Sequence, residues 1–198
     1  GLPYEPHLVR ISGDVTTPEF LALNPNNKIP AIIDPDGPNG EPLPLFESGA
    51  VLLYLAEKTG GFLPAGGAAR HETIQWLMFQ MGGVGPMFGQ LQYFHKYAGA
   101  AIEDPRPVTR YANEAKRLLN VLNTRFAERE WIAGDDYTIA DMAVWPWLRS
   151  LDFYEAHELL ETDRFPNVGA YLERALARPA SQRAVNIPDR NGPVATAA

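Results

Sequence analysis

The chain has 198 residues, 45% of them hydrophobic and 21% charged, enough for one or two folded domains with a buried core. Seventeen Lys and Arg stand against 24 Asp and Glu, a net charge of −7, which argues against a nucleic-acid binder. There is no cysteine and no apolar run of membrane-spanning length, so disulfides, cysteine–zinc sites and a cysteine nucleophile are excluded within these residues. The chain is expected to be soluble and cytoplasmic.

Proline and turn signals crowd the first third. His7–Ile11 alternates weakly and predicts a strand. Thr17-Pro18-Glu19 predicts a short helix, capped by Thr17 and ending before Asn24-Pro25. Ala31–Asp34 and Leu43–Phe46 flank the turn-rich run Pro35–Gly40, so they are expected to pair as a hairpin. Ser48 opens an amphipathic helix to about Lys58, stopped by Gly60-Gly61.

Phe62–Ala69 is expected to be a linker, and everything beyond it helical. Arg70–Met81 predicts one helix, continued by Pro86–Tyr97 after a glycine-rich break. Val108, Tyr111, Ala115, Leu118, Leu122 and Phe126 mark one face of a long helix. Thr138–Asp152 is apolar on nearly every side and predicts a buried central helix. Asp136–Asp141 contains a capping box, Thr138 with Asp141, and Tyr137 is placed to staple against Met142; these are folding residues, not catalytic ones. Val168, Tyr171, Leu172, Ala175 and Leu176 mark another helix, and a frayed tail is expected from Asn186. The architecture is a small α/β domain over 1–61, a linker over 62–69, an all-helical domain over 70–185 and a tail over 186–198.

Two segments carry candidate chemistry. In Asn24–Ile33, a cis bond at Ile29–Pro30 would turn the Ile29 backbone outward, free to pair with an extended peptide; an ordinary trans proline opening a strand is the alternative. In Phe46–Ala50, a strand gives way to a helix whose first N–H groups, with the Ser48 hydroxyl, suit a ligand carboxylate. Glu47 beside it suits a ligand ammonium. Plain capping by Ser48 and a solvated Glu47 explain the same residues. A short peptide with a free amino-acid end fits both segments together.

Asn24-Pro with Lys28-Ile-Pro-Ala, then Leu-Phe-Glu47-Ser48, then Leu53-Tyr-Leu-Ala resembles the thioredoxin-like domain of glutathione transferases. The capping box at Thr138–Asp141 and the run from Phe165-Pro166 through Arg178-Pro179 resemble the helical domain of the same superfamily. Gln75–Met87, with its glycines, methionines and aromatics, is similar to the nu class, bacterial proteins that use glutathione to reduce disulfides. Three glycines at about 1 kcal/mol each and an interior proline at about 3 need an offset, such as close approach of a neighbour. Core and dimer packing explain that run better than a cofactor box.

The resemblance implies a cis Pro30, glutathione contacts at Lys28, Ile29, Glu47 and Ser48, and a further contact at Arg110, where an arginine fork suits a carboxylate. Lys28 is one of three basic residues before Phe62, with Arg10 and Lys58, against eight acidic ones. The resemblance also implies a homodimer with the glycine-rich helix near its axis. It starts late: nothing matches the superfamily's first strand and helix, which carry the group facing the glutathione sulfur, a threonine and an asparagine in the nu class. A longer parent chain is therefore expected, with the catalytic residues outside this sequence. His7, His71, His95 and His157 show no metal-ligand spacing, and no metal is expected.

The expected activity is disulfide reduction, and possible conjugation to electrophiles, by the thiolate of bound glutathione as co-substrate. The second substrate is a small disulfide or electrophile; no nucleic acid or membrane is expected as partner. Tyr93, Phe94 and Trp147 are candidates for its pocket wall. The alternative is a non-enzymatic glutathione-binding regulatory module of the same fold.

Overall fold

The computed structural model describes residues 2–189; the expected frayed tail from Asn186 falls mostly outside them. The chain forms two units. One comprises the described residues up to Leu55 with those from Ala177 on, and the other is Ala56–Leu176.

The first unit is α/β. Helix α1 (Pro18–Leu23) starts where predicted: Thr17 accepts from the Phe20 N–H at 3.3 Å, and Pro18 occupies the first turn, where no N–H is required. Strands β1 (Ala31–Asp34) and β2 (Leu43–Phe46) pair antiparallel, Ala31 opposite Phe46 and Asp34 opposite Leu43. The turn between them needs Gly37, since a Cβ there would lie 2.5 Å from the Glu41 carbonyl oxygen. Helix α2 (Ser48–Thr59) follows, and the Tyr54 hydroxyl donates to Asp34 at 2.6 Å, tying helix to hairpin.

One expectation fails here. His7–Ile11 is not a strand; regular structure is lacking until the short 3-10 turn Asp14–Thr16. A strand exists only with a partner ladder. Among the described residues the sheet has two strands, paired with each other, and none is left for His7–Ile11.

The second unit is all helical. Helix α3 (Gly67–Phe79) runs into a π-helical turn, Gln80–Val84, then α4 (Gly85–Gln92) and a second π turn, Tyr93–Tyr97. The predicted glycine-rich break is therefore a widened but continuous helix. The offset is visible: a Cβ on Gly85 would stand 3.2 Å from the Trp147 ring, and one on Gly83 would stand 3.4 Å from Leu118. The missing side chains let the widened turn lie directly on its neighbours. Trp147, a candidate pocket wall, is half-buried and packs one side of its ring here.

Helix α5 (Arg106–Glu128) buries Ala115, Leu118, Leu122 and Phe126 on its predicted face. Helix α6 (Ile139–Tyr154) is buried along most of its length. Its capping box is formed: Thr138 Oγ1 accepts from the Ala140 N–H, and Asp141 accepts from the Thr138 N–H at 2.8 Å. Tyr137 accepts from Trp145 Nε1 and meets Trp131 edge-on. Helices α7 (His157–Leu160) and α8 (Pro166–Ala177) follow, and α9 (Pro179–Ala184) belongs to the first unit. No helix among the described residues is long and apolar enough to cross a membrane.

Candidate functional site

The first segment is shaped by Asn24, which is 1% exposed. Its Oδ1 accepts from the Asn26 N–H at 2.9 Å, and its Nδ2 donates to the Lys28 carbonyl at 2.6 Å. Its own carbonyl accepts from the Asn27 N–H, and Asn27 adopts a left-handed φ of 47°. One buried amide thus satisfies both sides of a tight loop. The loop delivers Lys28 and Ile29 to the surface, Ile29 at 49% exposure. The Ile29–Pro30 bond is cis. Ladder pairing starts only at Ala31, and among the described residues the Ile29 N–H and C=O make no hydrogen bond. Both are open to an extended ligand.

The second segment is the junction of β2 and α2. Glu47 stands in the N-cap position with φ of 66°, uncommon for a residue other than glycine, and its carbonyl accepts from the Val51 N–H. Ser48 is the first helical residue and half-buried. The bond between Glu47 and Val51 is the first of the helix, so the N-terminus of a 12-residue helix lies at Ser48. The Glu47 side chain is exposed. Asn26 Nδ2 donates to Glu47 Oε1 at 3.4 Å, so the two segments meet across the hairpin. Sequence reading passed over Asn24 and Asn26 as turn formers; their signal was the asparagine-rich run after α1.

Lys28, Ile29, Pro30, Glu47 and Ser48 all lie in the first unit. Arg110 lies in the second, exposed near the start of α5, with no hydrogen bond or ion pair among the described residues. Its guanidinium acts at longer range, helping to hold the Glu114 carboxyl below the usual range, behind the larger effect of Arg117. Tyr93 is half exposed, and Phe94 stacks on Tyr111. Among the described residues no group of three or more His, Asp or Glu side chains converges to hold a metal ion.

Thr138 and Asp141 are placed differently. Asp141 is fully buried, and its carboxylate also accepts from the Ile132 N–H at 2.9 Å and the Tyr171 hydroxyl at 3.1 Å. Burial pushes its pKa up, against the pull of these donors.

Comparison with known proteins bears on both units. The model of the glutathione S-transferase N-terminal domain matches residues 1–58, and that of the C-terminal domain matches residues 105–174. Disulfide-bond oxidoreductase YfcG of Escherichia coli is 47% identical over 171 residues, 85% of this chain and 76% of that protein. YghU, another disulfide-bond oxidoreductase of that organism, is 40% identical over 98% of this chain and 67% of its own length. A Burkholderia graminis glutathione transferase, solved with two glutathione molecules per subunit, is 62% identical with a TM-score of 0.93, over 96% of this chain and 80% of that one. A Pseudomonas putida glutathione transferase, solved with one glutathione disulfide per subunit, is 52% identical with a TM-score of 0.92, over 94% and 82%. Sequence and fold agree, and the chain belongs to the glutathione S-transferase family.

Proposed function

We propose that this protein reduces disulfide bonds with glutathione as the thiol donor. The observation that carries the reading is the 47% identity to a named disulfide-bond oxidoreductase, over most of both chains. The neighbours that hold two glutathione molecules, or their disulfide, support the same chemistry. One bound thiolate attacks a disulfide sulfur, forming a mixed disulfide and releasing one thiol. A second glutathione thiolate attacks the glutathione-side sulfur, releasing the other thiol and leaving glutathione disulfide. No protein cysteine is needed, and the chain has none.

In this reading the α-carboxylate of the γ-glutamyl end sits on the first turn of α2 and Ser48, and its ammonium sits at Glu47. The cysteinyl backbone pairs with Ile29, beside the cis Pro30. Lys28 and Arg110 offer positive charge to the remaining carboxylates. These residues bind; none of them is assigned to activating the thiolate. The glutathione-binding domain is assigned to 1–61, the linker to 62–69 and the helical domain to 70–185. The protein is taken to be a bacterial homodimer of the cytoplasm, where the glutathione pool is reducing; the bacterial relatives support the source.

The test is a coupled assay for glutathione-dependent reduction of a small disulfide. Turnover above the uncatalysed rate is expected. Glutathione binding without turnover on any disulfide or electrophile would replace the reading with a regulatory binding module.

A further inference from the structure

The turn that joins β1 to β2 sets an asparagine and a glycine side by side on an open surface. Its tip is the 3-10 turn Pro38–Gly40. The Gly40 N–H donates to the Gly37 carbonyl at 3.1 Å and closes a turn with Pro38 and Asn39 in the middle. Asn39 stands at φ 63° and ψ 16°, a left-handed position that asparagine tolerates better than most residues. Gly40 follows at φ 77°. Pro38, Asn39 and Gly40 are all exposed.

An asparagine carboxamide lies within reach of the next backbone nitrogen. Attack of that nitrogen on Cγ forms a C–N bond, expels ammonia and leaves a five-membered succinimide. Water then opens the ring at either carbonyl, giving aspartate or isoaspartate. One water enters, one ammonia leaves, nothing is oxidised or reduced, and no enzyme is needed. A side chain on the following residue crowds the ring, and a structure that holds the nitrogen or the carboxamide in place slows its closure.

Among the described asparagines, Asn39 is the one that glycine follows. Asn24 is buried, bonded through both side-chain polar atoms, and followed by a proline, whose nitrogen carries no hydrogen. Asn113, Asn120 and Asn123 lie in α5 and Asn167 in α8, where the helix fixes the next nitrogen. Asn26, Asn27 and Asn186 precede Asn27, Lys28 and Ile187, which all carry side chains. The Asn39 carboxamide makes no hydrogen bond among the described residues. A Cβ on Gly40 would meet nothing within 4 Å, so that end of the turn faces open space. The hold on the Gly40 nitrogen is its bond to Gly37, at the surface, where local opening is easy. The neighbouring pair Asp36-Gly37 lacks this freedom. The Gly37 N–H donates to the Glu41 carbonyl at 3.1 Å, and a Cβ on Gly37 would lie 2.5 Å from that same oxygen.

We propose that Asn39 is a site of spontaneous deamidation in the folded protein, converting through a succinimide to isoaspartate and aspartate. Either product places a new carboxylate on the turn, and isoaspartate adds one main-chain atom between the two strands. The proposal stands apart from the disulfide-reductase reading, and no outcome of its test bears on that reading.

The test holds the full chain in mildly alkaline buffer at physiological temperature and follows a peptide covering each asparagine by mass after digestion. The Asn39 peptide is expected to change amide for acid ahead of every other described asparagine, as two products with isoaspartate the larger. Asn191-Gly192, outside the described residues, is read from its own peptide. The folded rate at Asn39 is expected to be about tenfold below that of a synthetic peptide of the same turn, the scale of opening one exposed hydrogen bond, and to approach the peptide rate in denaturant. Gly40→Asp keeps a residue that accepts the left-handed backbone and is expected to slow the reaction strongly in protein and peptide alike. The peptide pair reads that steric effect even where the variant protein does not fold. An Asn39 amide that survives in the folded chain while the peptide reacts overturns the proposal, because the fold then protects the turn. An unchanged rate in Gly40→Asp, or aspartate without isoaspartate, overturns the succinimide route.

Discussion

The two helix starts at Ser48 and at Ile139 use similar residues for opposite ends. Each has a hydroxyl and a carboxylate close by in sequence, but Thr138 before α6 is extended and Glu47 before α2 is left-handed. At α6 the carboxylate of Asp141 is fully buried, and every donor around it belongs to the protein. At α2 the Glu47 carboxylate is exposed, and it accepts from Asn26 of the loop before β1. Burial, not residue type, separates a folding element from a binding one. The contrast sets the size of each expected effect.

The largest effect belongs to the buried end. Asp141→Ala strips the acceptor from the Ile132 and Thr138 N–H groups and from the Tyr171 hydroxyl at once. Several buried donors left unpaired cost about 3 kcal/mol or more, so thermal unfolding of this variant should fall far below the parent. A parent-like Tm would remove the capping network from the core. Next is Gly85→Ala. Its Cβ would stand 2.6 Å from Gln80 Nε2 and 3.2 Å from Trp147. Overpacking there should cost about 1–3 kcal/mol despite the better helix propensity of alanine. An unchanged Tm would show that the π turn relaxes around the added methyl.

The exposed end should break differently. Ser48→Ala is expected to weaken glutathione by about 1–2 kcal/mol, the scale of one hydrogen bond to a charged group. That is roughly a five- to thirtyfold rise in Kd by calorimetry. Unchanged affinity would remove Ser48 from the site. Asn24→Ala sits between the two classes, since a buried side chain here shapes an exposed loop. It should lower stability by about 1–2 kcal/mol and weaken glutathione as well. A loss of stability with affinity intact would separate the loop from the site.

Legibility in the sequence follows the same division. Local rules reached what local chemistry decides: Thr17 and Pro18 at α1, the hairpin around Pro35–Gly40, the Thr138–Asp141 box and the buried face of α5. They failed where tertiary partners decide. His7–Ile11 reads as a strand but has no ladder to join among the described residues. The glycines of Gln80–Gly85 read as a break, because nothing local reveals that Trp147 and Leu118 fill the space left by their side chains. In the site, Ser48 and Glu47 were legible as a helix start beside a strand. The left-handed Glu47 backbone and its link to Asn26, 21 residues away, were not, since that link exists only once the hairpin closes.

The smallest effect concerns a pair of acids that the second unit drives in opposite directions. Burial raises the Asp141 pKa, so its share of stability is largest at pH below its ordinary value and is lost as pH rises through the folded one. The exposed Glu161 carboxyl is lowered to about 2, first by the Lys116 hydrogen bond and then by Arg164. Its share is fully present above the ordinary glutamate value of 4.5 and is lost as pH falls through about 2. NMR titration of the side-chain carboxyl carbons resolves both without unfolding the protein in the upper part of the range. Lys116→Met should move the Glu161 midpoint up toward its ordinary value and leave Asp141 alone, because Asp141 answers to burial and to donors of its own network. A joint shift of both would mean that the charge on the outer face of α5 reaches the core, and that the separation between surface pairs and buried network drawn above is too sharp.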